Sequence, residues 1–201
     1  MDFIRAVSPG CAVSLGHTTA DYDTAMAAFA AGASHVTHLY NAMQPLHHRE
    51  PGLIGAALDT GATVELICDG IHSHSAVVRL TYQLFGKRMV LISDSMRCAG
   101  MPDGDYSLGG QPVTVKDGKA TITGTDTIAG SSIHLMDGLR NAVRFGIPLE
   151  AAITAATIAP ARVIGMQESI GSLEVGKCAD FVLLDKNLRV RAAYIDGRPI
   201  G

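Results

Sequence analysis

Polar residues that can do chemistry stand where apolar runs end: His17 after Cys11–Leu15 (CAVSL), His38 near the close of Ser34–Leu39 (SHVTHL), Asp69 at the close of Thr63–Asp69 (TVELICD) with His72 just beyond, and Asp94 at the close of Met89–Asp94 (MVLISD). Neutral imidazoles are good ligands for Zn²⁺ or Fe²⁺, and a carboxylate at a nearby strand end can take a proton from a water that such a metal activates. A single histidine at a strand end serves as readily in a structural hydrogen bond, and Asp94 alone would also suit a helix cap. Two histidines and an aspartate at the ends of strands of one sheet shift the balance towards a metal-ligand role. The remaining histidines read as structural: His47 and His48 in a polar loop facing solvent, His35 within a strand and pointing towards the helices, His134 two residues into a helix. The loop Asn41–Gly52 (NAMQPLHHREPG) carries Arg49, which is either a solvated side chain or a bidentate grip on phosphate. Ile128–Ser132 (IAGSS) precedes a helix, so its N–H groups can hold a polar substrate group, or Ser131 or Ser132 can cap that helix.

The elements that must position these residues follow from the spacing. The four apolar runs are rich in Val, Ile and Leu, lack strict alternation and are separated by helix-like stretches, which predicts βαβ units with a parallel sheet buried on both faces. The first helix is expected to be capped by Thr18 or Thr19, to run through an Ala-rich stretch to Ala31 and to stop at Gly32. Gly52–Leu58 and Ser75–Phe85 are the next two, the latter ending at Gly86. After Gly100 the pattern changes: Tyr106–Thr123 alternates around turns at Gly109-Gly110 and Asp117-Gly118, predicting antiparallel hairpins. Helices are expected over Ser132–Phe145 and Leu149–Ile164, with Pro160 as a bend or boundary, and short strands return at Phe181–Leu184 and Val190–Ile195. In a parallel α/β barrel the carboxyl ends of the strands converge on one face, so residues far apart in sequence would meet around one substrate.

Composition narrows the function. The 201 residues are 47% hydrophobic and 17% charged, with 16 Lys+Arg against 19 Asp+Glu and a net charge of −3, which leaves no electrostatic footprint for nucleic acid or an anionic membrane. No charge-free apolar run approaches the roughly 20 residues of a membrane span, and the start lacks a basic leader followed by an apolar stretch, so a cytoplasmic location is expected. The four cysteines (Cys11, Cys68, Cys98, Cys178) form no CxxC pair, which argues against a thiolate zinc knot or a disulfide framework. A small molecule or another protein remains as the partner.

With these residues placed, the chain resembles the N-acetylglucosamine-6-phosphate deacetylase family of the amidohydrolase superfamily along nearly its whole length. The segments that carry the resemblance are GHTTADYDTA (Gly16–Ala25), THLYNAMQPLHHREPG (Thr37–Gly52), DGIHSH (Asp69–His74), LISDSMRCAGMPDGDYSLGG (Leu91–Gly110), TIAGSS (Thr127–Ser132), TAATIAPARVIG (Thr154–Gly165) and GSLEVGKCADFVLLD (Gly171–Asp185). The last is shared by many amidohydrolases; THLYNAM with REPG singles out the deacetylases. The resemblance implies His17 and His38 as metal ligands and Asp94 as the general base that later protonates the leaving amine. It implies Asn41 and the backbone of Ala42 on the sugar phosphate, Arg49 on the phosphate and reaching towards a neighbouring subunit, His72 on the substrate, and Ala129, Gly130 and Ser131 along the acetyl end.

The resemblance also implies an α/β fold that is the C-terminal half of a (β/α)₈ TIM-type barrel, about four βα units, over residues 1–165 with a β-hairpin excursion near 105–124, followed by strands of a small accessory β domain over 166–201. A complete barrel typically takes about 250 residues, so a glutamate ligand for the divalent Zn or Fe is expected from an N-terminal half outside this chain. Three functions are carried forward: a homodimeric deacetylase of N-acetylglucosamine 6-phosphate, another amidohydrolase of an N-acyl or cyclic amide, and a non-catalytic assembly module.

Overall fold

The computed structural model describes residues 1–200. A short helix, α1 (Asp2–Val7), leads into four alternating units: β1 (Ser14–Leu15), α2 (Tyr22–Ala30), β2 (His35–Val36), α3 (Gly52–Thr60), β3 (Thr63–Ile67), α4 (Ser75–Phe85) and β4 (Met89–Ile92), the last preceded by a 3₁₀ turn. The strands pair in parallel in chain order, β1-β2-β3-β4, with Ser14 opposite His35, His35 opposite Thr63 and Val64 opposite Met89. The strands are shorter than the apolar runs predict.

Local chemistry places the helices. α2 is capped by Asp21, whose Oδ1 accepts the Thr24 N–H at 2.8 Å, and not by Thr18 or Thr19 as expected; the Thr18 hydroxyl instead accepts the Ala20 N–H. α3 ends at Gly61, whose φ of +75° is the left-handed closing conformation that glycine adopts without Cβ strain. α4 starts at His74, whose ring nitrogen accepts the Ala76 N–H, and spans the expected Ser75–Phe85. These helices pack on one face of the sheet: Ala25, Phe29, Leu53, Ile54, Ala57, Val78 and Phe85 enclose Val36, Val64, Leu66, Met89 and Leu91. Because side chains alternate along a strand, His35, Thr63 and Glu65 project from the opposite face. The expectation that His35 points towards the helices is therefore corrected.

Beyond β4 the chain makes an antiparallel meander, β5 (Gly104–Leu108), β6 (Gln111–Lys116), β7 (Lys119–Ile122) and β8 (Ile128–Gly130), with turns at the two predicted pairs and its own small core of Met96, Cys98, Val113, Val115 and Ala120. The excursion thus extends past the hairpins to include the IAG segment as a strand. Three helices follow, α5 (Leu135–Arg144), α6 (Leu149–Ala156) and α7 (Ile158–Val163). His134 lies at the N-cap of α5, not inside it, and its N–H donates to Asp137 at 3.0 Å. The break between α6 and α7 falls at Thr157 (φ −130°, ψ −87°), not at Pro160. Pro160 sits in the first turn of α7, where its missing N–H has no partner to lose. Finally β9 (Phe181–Leu184), β10 (Val190–Ile195) and β11 (Arg198–Ile200) form a separate antiparallel sheet in the order β11-β10-β9.

Candidate active site

The carboxyl ends of β1, β2, β3 and β4 share one rim of the sheet, and the residue two positions past each strand end is His17, His38, Asp69 and Asp94 respectively. Three of these lie in the left-handed region: φ is +46° at His17, +30° at His38 and +49° at Asp94. Non-glycine residues adopt such angles at a cost, of order 1–3 kcal/mol each, and hold them where the surroundings impose them, which is characteristic of functional sites. The same turn after β3 is made by Gly70 at +81°.

His17 and His38 meet. Their Nε2 atoms are 2.8 Å apart, with the rings edge to face. At this separation one nitrogen must carry a proton for the other to accept. His38 is buried and its Nδ1 has no hydrogen-bond partner, whereas His17 is exposed. Two imidazoles converging through the same nitrogen suit one cation: both lone pairs would then point at a positive charge and not at each other. Among the described residues no third His, Cys, Asp or Glu joins them to complete a metal-holding group. The pair therefore fits a divalent metal as a partial ligand set.

The loop after His38 returns alongside the end of β1. Asn41 donates from Nδ2 to the carbonyls of His38 and Leu39 at 3.2 and 3.1 Å, Tyr40 and Ala42 take φ of +77° and +50°, and Thr18 bridges to Met43. Asn41 and Ala42 thus stand beside the histidines. Arg49 is farther along, exposed, with a guanidinium nitrogen 2.7 Å from His48 Nε2; it lines a cavity of about 640 Å³ together with Asp21, Tyr22, Gln44, His47 and Gly52.

At the β3 end Asp69 accepts at Oδ1 from the N–H groups of Ile71 and His72, both at 2.8 Å, and at Oδ2 from His72 Nδ1–H at 2.6 Å. Burial alone would raise the Asp69 carboxyl, but the His72 ring and the two N–H groups outweigh it and hold it below the usual carboxylate range. The pair fixes the His72 tautomer and leaves Nε2 free to face a ligand. At the β4 end the Asp94 carbonyl accepts the Ser131 N–H at 2.9 Å, Ser131 O accepts the Met96 N–H at 2.9 Å, and the Ser131 hydroxyl donates to Ser93 O. Ala129, Gly130 and Ser131 are thereby stitched beside Asp94, and neither Ser131 nor Ser132, whose hydroxyl bonds Gly118 O, caps α5.

Sequence reasoning passed over Glu65. Its Oε1 lies 3.1 Å from His35 Nε2 and its Oε2 accepts the His38 N–H at 3.2 Å. Burial pushes the Glu65 carboxyl up, but the His35 ring and the His38 N–H more than offset it and leave it below the ordinary value. The signal was a charge in the middle of an apolar run, TVELI.

A model of the amidohydrolase family matches residues 6–200. The chain belongs to the amidohydrolase family. A Vibrio furnissii N-acetylglucosamine-6-phosphate deacetylase is 42% identical over 98% of this chain, and an Escherichia coli O157:H7 N-acetylgalactosamine-6-phosphate deacetylase 43% identical over 92%. The crystal structure of N-acetylglucosamine-6-phosphate deacetylase from Pasteurella multocida superimposes with a TM-score of 0.95 at 34% identity, covering 99% of this chain and 53% of that one. The chain spans about half the length of the curated relatives it matches. Its four parallel βα units are accordingly half of the TIM-type barrel of this amidohydrolase fold, accompanied by the two antiparallel sheets.

Proposed function

We propose that this amidohydrolase chain is part of an enzyme that hydrolyses the acetamide of N-acetylglucosamine 6-phosphate to glucosamine 6-phosphate and acetate. The observation that carries the reading is the meeting of His17 and His38 through their Nε2 atoms at the rim where Asp94 also ends its strand. The identity to deacetylases along nearly the whole chain supports the same chemistry.

In this reading His17 and His38 hold a divalent ion, zinc or iron, completed by a carboxylate from the other half of the barrel. When bound, that ion polarises the acetamide carbonyl and lowers the pKa of water towards roughly 7. Asp94 accepts the proton of the attacking water and returns it to the amine as the C–N bond breaks, so that water and amide become acetate and amine. His72 offers its free Nε2 to a substrate hydroxyl, its other nitrogen being held by Asp69. Asn41 and the Ala42 backbone contact the sugar phosphate, Arg49 the phosphate, and Ala129, Gly130 and Ser131 line the acetyl end. Residues 1–165 form the barrel portion and 166–201 the strands of a small β domain, in a soluble, cytoplasmic dimer.

A second substrate is favoured by the identity to the N-acetylgalactosamine-6-phosphate deacetylase. Acetate release by the full-length protein from the two epimeric sugar phosphates decides between them: the higher kcat/KM is expected for the glucosamine derivative. Release from neither overturns the deacetylase reading.

A further inference from the structure

We propose that Glu65 is a positioning residue for His38, holding the backbone that presents this imidazole to the divalent cation, and that His35 holds Glu65 in turn. The inference rests on the metal-site reading given above.

A metal-binding histidine is usually oriented through its second ring nitrogen, which donates to a carboxylate or carbonyl. That handle is missing here, since His38 Nδ1 is buried without a partner. The ring has to be aimed through its main chain, and the main chain of His38 is bonded on every side. Its own N–H donates to Glu65 Oε2 at 3.2 Å, the N–H of the next residue, Leu39, donates to the Glu65 carbonyl at 2.8 Å, and its carbonyl accepts from Asn41. Both peptide N–H groups that flank His38 thus end on Glu65, one on its side chain and one on its backbone. This is how a φ of +30° is kept at a non-glycine residue.

Glu65 is itself fixed. Its other oxygen, Oε1, accepts from His35 Nε2–H at 3.1 Å, and His35, 4% exposed, accepts the Thr63 hydroxyl at Nδ1 at 2.6 Å. The register explains why these three meet: Thr63 is the strand partner of His35 and Glu65 lies on the same face one step on. A carboxylate in the middle of a sheet strand has no packing role that an apolar residue would not fill better, and its two oxygens are divided between a buried histidine and the His38 backbone.

The test is zinc affinity of the metal-stripped full-length protein, measured by competition with a chromophoric chelator. Glu65→Ala is expected to weaken binding by about 10–100-fold, and Glu65→Gln, which keeps an oxygen for the His38 N–H, to recover most of that loss. Should Glu65→Ala fail to fold, Glu65→Asp withdraws the acceptor while keeping the charge and is expected to weaken binding in protein that still melts cooperatively. Folded Glu65→Ala or Glu65→Asp protein that binds zinc as tightly as wild type overturns the proposal. So does folded Glu65→Gln protein that recovers nothing. Wild-type protein that binds no zinc removes the metal-site reading itself, which separates the two failures.

Discussion

Asp94 is held by its backbone and left free by its side chain. Its carbonyl is taken by the Ser131 N–H, its neighbour Ser93 is taken by the Ser131 hydroxyl, and its carboxylate is exposed. Asp94→Asn keeps the shape and removes the base, so kcat of the full-length protein should fall by about 10²–10⁴-fold with the metal content unchanged; unchanged turnover would take Asp94 out of the proton transfer. Asp69 calls for a different measurement. Because folding lowers its carboxyl pKa, the stability it contributes is present above the unfolded value, near 4, and is lost as the pH falls through the folded value. Asp69→Asn should therefore lower the urea midpoint at pH 7 and flatten its decline as the pH falls below about 4, where the wild type loses this contribution. The placing of His17, His38 and Asp94 along one rim of the sheet was legible in the sequence because each follows the end of an apolar run. The direction of His35 was not legible, since a run buried on both faces has no alternation to show which way a side chain points, and Glu65 gained its meaning only from a partner on another strand.

At the scale of elements, helix existence followed from local sequence and helix ends did not. Ser75–Phe85 and the strands Phe181–Leu184 and Val190–Ile195 lie where the pattern put them. The cap of α2 fell to Asp21 although two threonines stood close by, because any of the three can accept an N–H and the entry of the chain from β1 decides which one does. Likewise a proline signals a boundary without saying which side of it the boundary takes; Pro160 lies inside α7 and Thr157 makes the turn. Packing of α7 depends on Gly171, at φ +92°, where an added Cβ would lie 2.9 Å from both Ile158 Cα and Ala161 Cβ. Gly171→Ala combines a left-handed strain with a collision against backbone and should cost about 2–4 kcal/mol, read as a lower urea midpoint, while the kcat of the folded protein stays at the wild-type value because no site residue lies on α7.

At the scale of the molecule, the parallel sheet was readable from the βα alternation, and four strands in the order β1-β2-β3-β4 make an open sheet. β1 and β4 are edges, and the β9–β11 sheet leaves Val182, Leu183, Val190, Ile195 and Ile200 each about half exposed. Phe3 and Leu173 are exposed at 75% and 74%. Unpaired edges and apolar surface of this extent drive association, so this 201-residue chain expressed by itself should scatter light as oligomers; a monomer with a sharp cooperative melt would contradict that. The meander β5–β8 behaves otherwise. It leaves the sheet at Ser95 and returns at Ser131, and these two residues are bridged to each other. A detour whose exit and entry are pinned together transmits none of its length to the frame, and its tip at Gly109-Gly110 points away from both attachment points along two paired strands. The β5–β6 tip of such a segment is free to lengthen, shorten or accept foreign sequence in the course of descent without disturbing Asp94 or the Ala129–Ser131 end of the detour, which makes it a place where members of this family can diverge at little cost to the rim.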